Sequence, residues 1–169
     1  MAVADIKLLL LDVDGVLTDG SIWLDDEGRQ MKRFHVRDGA GIRAWQRCGL
    51  QVGILTARSS RAVTYRMQEL GVTLISQGAS DKQQGFEDIC SRVGLTADQV
   101  AYVGDDLMDL PVLCRVGYPI AVADAANEVR QVAKYVCNRR GGSGAVREVI
   151  EHLLKTMERW DEVLDAYGL

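Results

Sequence analysis

The sequence predicts an α/β protein built on a doubly wound, mainly parallel sheet. Three observations carry that reading. Short, continuous apolar runs recur along the chain, helix-like segments ending in glycine fill the gaps, and polar residues stand where several apolar runs stop. Continuous apolar runs suit parallel strands buried on both faces. Their alternation with helices implies right-handed crossovers and helices on both faces of a Rossmann-like sheet.

The elements follow in order. "IKLLLLDV" (6–13) reads as a buried strand. "SIWLDDEGRQMKRFHV" (21–36) breaks the rhythm, alternating apolar and polar residues around a turn at Asp26, Glu27 and Gly28, and reads as a projecting β-hairpin. "DGAGIRAWQRCG" is a helix stopped by Gly49, a favoured residue just past a helix end. Strands follow at 51–57 and 72–76, separated by the helix "SSRAVTYRMQELG". "SDKQQGFEDICSRVG" is helical to Gly94, and Thr96 with Gln99 forms a capping-box signature. Further strands are expected at 100–105, 118–123 and 134–137, with helices over "LMDLPVLCRVG", "AANEVRQVA" and "SGAVREVIEHLLKTMERW". The glycine-rich "RRGGSG" before the last helix reads either as a mobile tail over a neighbour's site or as a loop into a helix capped by Ser143. The amphipathic "KTMERWDEVLDAYGL" reads as packing or assembly surface.

Length and composition narrow the function. The 169 residues suit one domain, 1–169, with a substantial core. A net charge of −4 argues against a nucleic-acid surface. No apolar stretch approaches the ~20 residues that span a bilayer, and "MAVADIK" lacks a signal-peptide pattern. Cys48, Cys90, Cys114 and Cys137 are widely spaced and read as free thiols in a reducing cytoplasm. With two histidines and no C-x-x-C, a zinc site is not expected.

The strand ends carry the chemistry. The first strand stops at Asp12-Val13-Asp14-Gly15, the second at Thr56, and the fourth at Gly104-Asp105-Asp106, with Asp109 one turn on; Lys82 opens the helix after the third. A calcium loop needs an acid and then a glycine where Val16 and Leu17 stand, so that reading fails. Singly, each of these residues also suits a plain role: a turn for D-x-D-G, a polar cap for Thr56, a solvated helix start for Lys82. Together they form a phosphoryl-transfer set. Carboxylates hold Mg²⁺, a hydroxyl and an ammonium bind phosphoryl oxygens, and one carboxylate remains to attack phosphorus.

"DVDGVLTDG", "LTAR", Lys82 and "GDDLMD" match, in order, the four motifs of haloacid-dehalogenase-like phosphatases. With "FHVRDGAGIR" and "RRGGSGAVREV", the chain most resembles the 3-deoxy-D-manno-octulosonate 8-phosphate (KDO 8-phosphate) phosphatases of lipopolysaccharide synthesis. The resemblance implies Asp12 as nucleophile, Asp14 as acid and base, and Thr56 and Lys82 as phosphoryl binders. It implies Mg²⁺ held by Asp12, the Asp14 backbone carbonyl and Asp105, with Asp106 and Asp109 supporting the metal shell or Lys82. It assigns the sugar acid to Asp14, His35, Val36, Arg37, Asp38, Gly39, Arg43, Arg58, Arg66 and Lys82. Arginine suits a planar carboxylate. Arg66, mid-helix, is equally at home as a solvated side chain, and His35 as a hairpin residue.

Neither the stretch between the first two motifs nor that between Lys82 and Asp105 leaves room for a cap domain. An open site exposes phosphoryl chemistry to water, so closure by neighbouring subunits is expected, with Trp23 and Leu24 of the projecting hairpin buried between chains; the resemblance implies that the assembly is a homotetramer. A nine-carbon sialic-type 9-phosphate (KDN or N-acetylneuraminate) is the rival substrate. A phospho-receiver domain is the rival class, but it places its phosphorylated aspartate after the third strand, where this chain has only Asp81.

Overall fold

A computed structural model describes residues 3–168. Met1, Ala2 and Leu169, included in the 1–169 domain and, at the start, in the leader-free reading, lie outside them. The framework is a six-stranded sheet of β1 (Leu8–Leu11), β4 (Gln51–Thr56), β5 (Leu74–Gln77), β6 (Val100–Gly104), β7 (Tyr118–Ala121) and β8 (Tyr135–Val136). Its spatial order is β5-β4-β1-β6-β7-β8 and every pair is parallel. The order reverses between β1 and β6, the point where doubly wound sheets open a crevice beyond their carboxyl ends.

All four β1 residues are buried because the strand is central and covered on both faces. The registers Leu11 with Ile54 and Leu11 with Val103 bring the ends of three strands level. Helix α1 (Val36–Arg47) packs on α6 (Ala145–Thr156). On the other face α3 (Lys82–Val93) packs on α4 (Leu110–Leu113), and α4 on α5 (Asn127–Val132). Trp45, fully buried on α1, donates its indole N–H to the Gln51 carbonyl at 2.6 Å, tying the helix to the start of β4. Helix α2 (Arg61–Glu69) ends where Gly71 takes φ 71°, and the Val72 amide closes back on the Met67 carbonyl. The Thr96 amide donates to the Gln99 side chain at 3.1 Å, as the capping pattern predicts, although the element is a single 3₁₀ turn.

The hairpin forms as β2 (Trp23–Leu24) and β3 (Gln30–Met31), a separate antiparallel pair. Asp25 organises its turn, accepting from the Glu27 and Arg29 amides.

Two expectations change. The long last helix breaks in two, α6 and α7 (Trp160–Asp165). Glu158 takes φ 58°, and the Arg159 amide bonds back to the Leu154 carbonyl at 2.8 Å. That is a Schellman end with glutamate in the left-handed position usually held by glycine. Ser143 does not cap α6; Gly144 takes the cap position. The segment 139–144 is a packed loop, with Gly141 and Gly142 buried. Among the described residues, no helix is long and apolar enough to cross a membrane.

Leu10 is fully buried mid-sheet. Leu10→Ala is expected to cost about 3 kcal/mol, as buried leucine truncations do. Urea denaturation checks this, and a loss below about 1 kcal/mol contradicts the packing described.

Candidate active site

The switch point between β1 and β6 gathers the strand-end residues. Asp12 follows β1, Asp105 follows β6, Thr56 ends β4 and Lys82 begins α3. With Asp14, Gly20, Ala57, Arg58, Asp106, Met108 and Asp109 they line one cleft. Asp12, Thr56, Lys82 and Asp109 are buried.

Lys82 is the hinge of the charge arrangement. Its ammonium lies 2.9 Å from Asp12 Oδ2 and 2.6 Å from Asp109 Oδ1. Burial opposes its charge, but the two carboxylates outweigh burial and hold its pKa above the ordinary lysine value. Asp109 is fully engaged. Its Oδ1 also accepts from the Tyr102 hydroxyl at 2.5 Å, and its Oδ2 from the Asp105 and Asp106 amides at 2.9 and 3.2 Å.

The other acids are under-compensated. Carboxylate oxygens of Asp12, Asp105 and Asp109 lie within 4.8 Å of one another. Burial, then the charges of Asp12 and Asp109, push Asp105 up to about 8. Burial, opposed by Lys82, raises Asp12 to about 6. Asp12 Oδ1 is buried with no hydrogen-bond partner. A buried oxygen without a donor, inside an excess of negative charge, fits a divalent cation. Since both oxygens of Asp109 are occupied, the free donors belong to Asp12 and Asp105.

Asp14 pairs with Lys32, whose side chain is almost fully buried, and Arg58 Nε approaches its other oxygen to 3.7 Å. Sequence reading missed both Lys32 and Tyr102. Lys32 had a signal: in the alternating hairpin it shares a face with the half-buried Gln30 and Phe34. Tyr102 is the one hydroxyl inside the apolar run of β6.

The remaining residues assigned to the sugar acid do not line this cleft. Val36, Gly39, Arg43 and Arg66 border another, between α1 and α2. There Arg43 donates to the Glu69 carbonyl and Arg66 pairs with the Glu69 side chain. Arg37 lines a third cavity beside Arg139 and Arg147. His35 is the cap residue of α1, with Nδ1 buried and unpartnered. Asp38, 1% exposed, accepts from the Arg147 amide at 2.8 Å, so a carboxylate from α1 caps α6 where Ser143 was expected to.

A model of the haloacid dehalogenase-like hydrolase family matches residues 73–150. Fold and site together therefore define a hydrolase of that class. The chain is 45% identical over 158 residues to the 3-deoxy-D-manno-octulosonate 8-phosphate phosphatase KdsC of Escherichia coli strain K12, covering 94% of this chain and 84% of that protein. It is similar to the crystal structure of that phosphatase from Moraxella catarrhalis in complex with a magnesium ion, a phosphate ion and a KDO molecule. There the TM-score is 0.94 at 38% identity, over 98% of this chain and 95% of that one. The cobalt-bound phosphatase from Haemophilus influenzae aligns with a TM-score of 0.89 at 39% identity, over 92% and 91% of the two chains. The chain belongs to the 3-deoxy-D-manno-octulosonate 8-phosphate phosphatase family.

Burial raises the Asp38 pKa above its ordinary 3.8, against the opposing pull of the Arg147 amide. The folded chain thus binds this proton more tightly than the unfolded one. Ionised Asp38 weakens the fold above its folded pKa, and the penalty fades as pH falls through that value towards 3.8. Asp38→Asn, which keeps an acceptor for Arg147, is therefore expected to gain stability relative to the parent near pH 8. The gain shrinks towards pH 4, and melting temperatures across that range test it.

Proposed function

We propose that this chain, as a single phosphatase domain, hydrolyses 3-deoxy-D-manno-octulosonate 8-phosphate with the help of Mg²⁺. The observation that carries the reading is Asp12: a buried carboxylate at the end of β1, held by Lys82 through one oxygen and bare at the other. Asp12, Asp105 and the backbone carbonyl of Asp14 would hold Mg²⁺, which supplies the positive charge that lets a carboxylate approach a phosphate dianion. Lys82 and Thr56 donate hydrogen bonds to the phosphoryl oxygens. Asp12 bonds to phosphorus as the bond to the sugar's C8 oxygen breaks. Asp14 gives that oxygen its proton. Asp14, now ionised, takes a proton from water as the water oxygen attacks the aspartyl-phosphate. Inorganic phosphate leaves and Asp12 is restored.

Arg58 lines the cleft beside Asp14, which supports it as the arginine that meets the sugar's carboxylate. Kinship with phosphatases of the eight-carbon acid, one of them a complex with KDO, favours that substrate over a nine-carbon one. The cleft holds about 250 Å³, below the ~300–1,000 Å³ that enclose ligands of this size. One chain thus grips the phosphate and leaves the sugar uncovered. We infer a homotetramer in which neighbours cover it, and His35, Val36, Arg37, Gly39, Arg43 and Arg66 reach the sugar acid only across a subunit boundary, while Asp38, buried, holds α6 behind them. The hairpin supports this, since Ile22, Trp23, Leu24 and Met31 are all exposed. Four free cysteines support a cytoplasmic setting.

Phosphate release from the eight-carbon acid phosphate is expected with Mg²⁺, and is lost with a chelator or in Asp12→Asn. Release unaffected by Asp12→Asn overturns the nucleophile. For the assembly, Trp23→Asp is expected to dissociate the oligomer in light scattering and to cut kcat/KM at least tenfold. A parent that is monomeric and fully active contradicts the assembly.

A further inference from the structure

The "RRGGSG" loop and the loop after β7 close a ring of contacts around Asp105. The first contact lies between Gly15 and Asp105. Gly15 takes φ 86°, and a Cβ built on it would overlap the Asp105 carboxylate. The chain after the nucleophile therefore rests directly on a metal-holding side chain. The second contact stacks another glycine on Gly15. A Cβ on Gly141 would overlap the Gly15 carbonyl, and one on Gly142 would overlap backbone atoms of Thr18 and Asp19. Only glycine allows backbone to approach backbone this closely. The Gly142 amide also donates to the Val16 carbonyl at 3.0 Å.

The third contact holds the glycines in place. Asp124, in the loop after β7, accepts from the Gly141 amide at 3.0 Å. The Ala123 amide donates to the Arg139 carbonyl at 3.1 Å. The fourth returns to the start: the Ala126 amide donates to the Asp105 carbonyl at 2.8 Å. Asp105 is thereby braced from its backbone by residues 122–126 and from its side chain by Gly15, which Gly141 backs.

We propose that Asp124, through the Gly141–Gly142 pair, is a positioning residue that sets Asp105 and the 13–19 loop for Mg²⁺. Asp124 is neither among the residues that line the cleft nor in the carboxylate cluster, and it is itself exposed, so replacing it leaves the core intact. The inference rests on the metal-dependent reading of the site. Losing a partner bonded directly to a metal ligand typically weakens metal binding 10–100-fold. Asp124 acts two contacts further out, through Gly141 and Gly15, so the lower end of that range is expected. Coupling of this kind is reciprocal, so Mg²⁺ must also steady the brace.

The test is Mg²⁺ titration by calorimetry with amide hydrogen exchange on the same samples. Asp124→Ala is expected to bind Mg²⁺ about tenfold more weakly, with the substrate KM unchanged, and Asp124→Asn to restore binding because its amide oxygen accepts the same N–H. In the parent, Mg²⁺ is expected to slow exchange at Gly141 and Gly142. Parental affinity in Asp124→Ala, or equal loss in both variants, overturns the proposal. Should Asp124→Ala fail to fold, the parent's exchange decides: Gly141 and Gly142 amides indifferent to Mg²⁺ overturn it. A parent that binds no Mg²⁺ overturns the phosphatase reading itself, which separates the two failures.

Discussion

The site depends on one ammonium among carboxylates. Lys82 lies between Asp12 and Asp109, and Asp105 stands close by. Burying that much negative charge is unfavourable unless it is paired. Lys82 pairs with Asp12 and Asp109, and the Tyr102 hydroxyl and two backbone amides complete Asp109. What stays uncompensated is centred on Asp12 and Asp105, the positions that face the cleft. The arrangement is thus saturated on the protein side and deficient on the open side. That asymmetry makes it a site rather than a buried salt bridge.

The sheet is what makes the arrangement possible. Asp12 and Asp105 are far apart in sequence but follow neighbouring parallel strands, where the order reverses. Thr56 is one strand further, and Lys82 arrives from the helix after the edge strand β5. Parallel strands of matched register place their last residues on one rim. Three polar residues therefore need only stand one position past, or at, the end of an apolar run to meet, and Lys82 joins them from the start of α3.

That same logic explains what was legible in the sequence. Apolar runs locate all six sheet strands within a few residues, and the strand-end acids locate the cleft. Glycines at 49, 71 and 94 mark three helix ends because the left-handed conformation favours them. The break at Glu158 was hidden because a non-glycine residue takes that conformation there, held by backbone bonds and by Arg159 reaching the Cys48 carbonyl. The cap of α6 was hidden for a different reason. Asp38 reaches it from α1, and no local pattern reports a contact made only after the two helices pack. Tyr102 was missed because it looks ordinary in its own strand, and Lys32 because the face it shares in the hairpin does not reveal its partner, Asp14, from an earlier loop.

The hairpin joins these levels. Its outward residues Trp23, Leu24 and Met31 offer apolar surface, while the next residue after Met31 sends its ammonium inward to Asp14. A two-stranded ribbon is marginally stable alone, so its position depends on what covers it and on what its lysine grips. Contacts on its outer face and the orientation of Asp14 therefore belong to one mechanical unit. In the assembly proposed above, the placement of Asp14, the proposed acid and base, would depend on the partner that closes the cleft. Enclosure that excludes water and alignment that moves the proton would then arrive together.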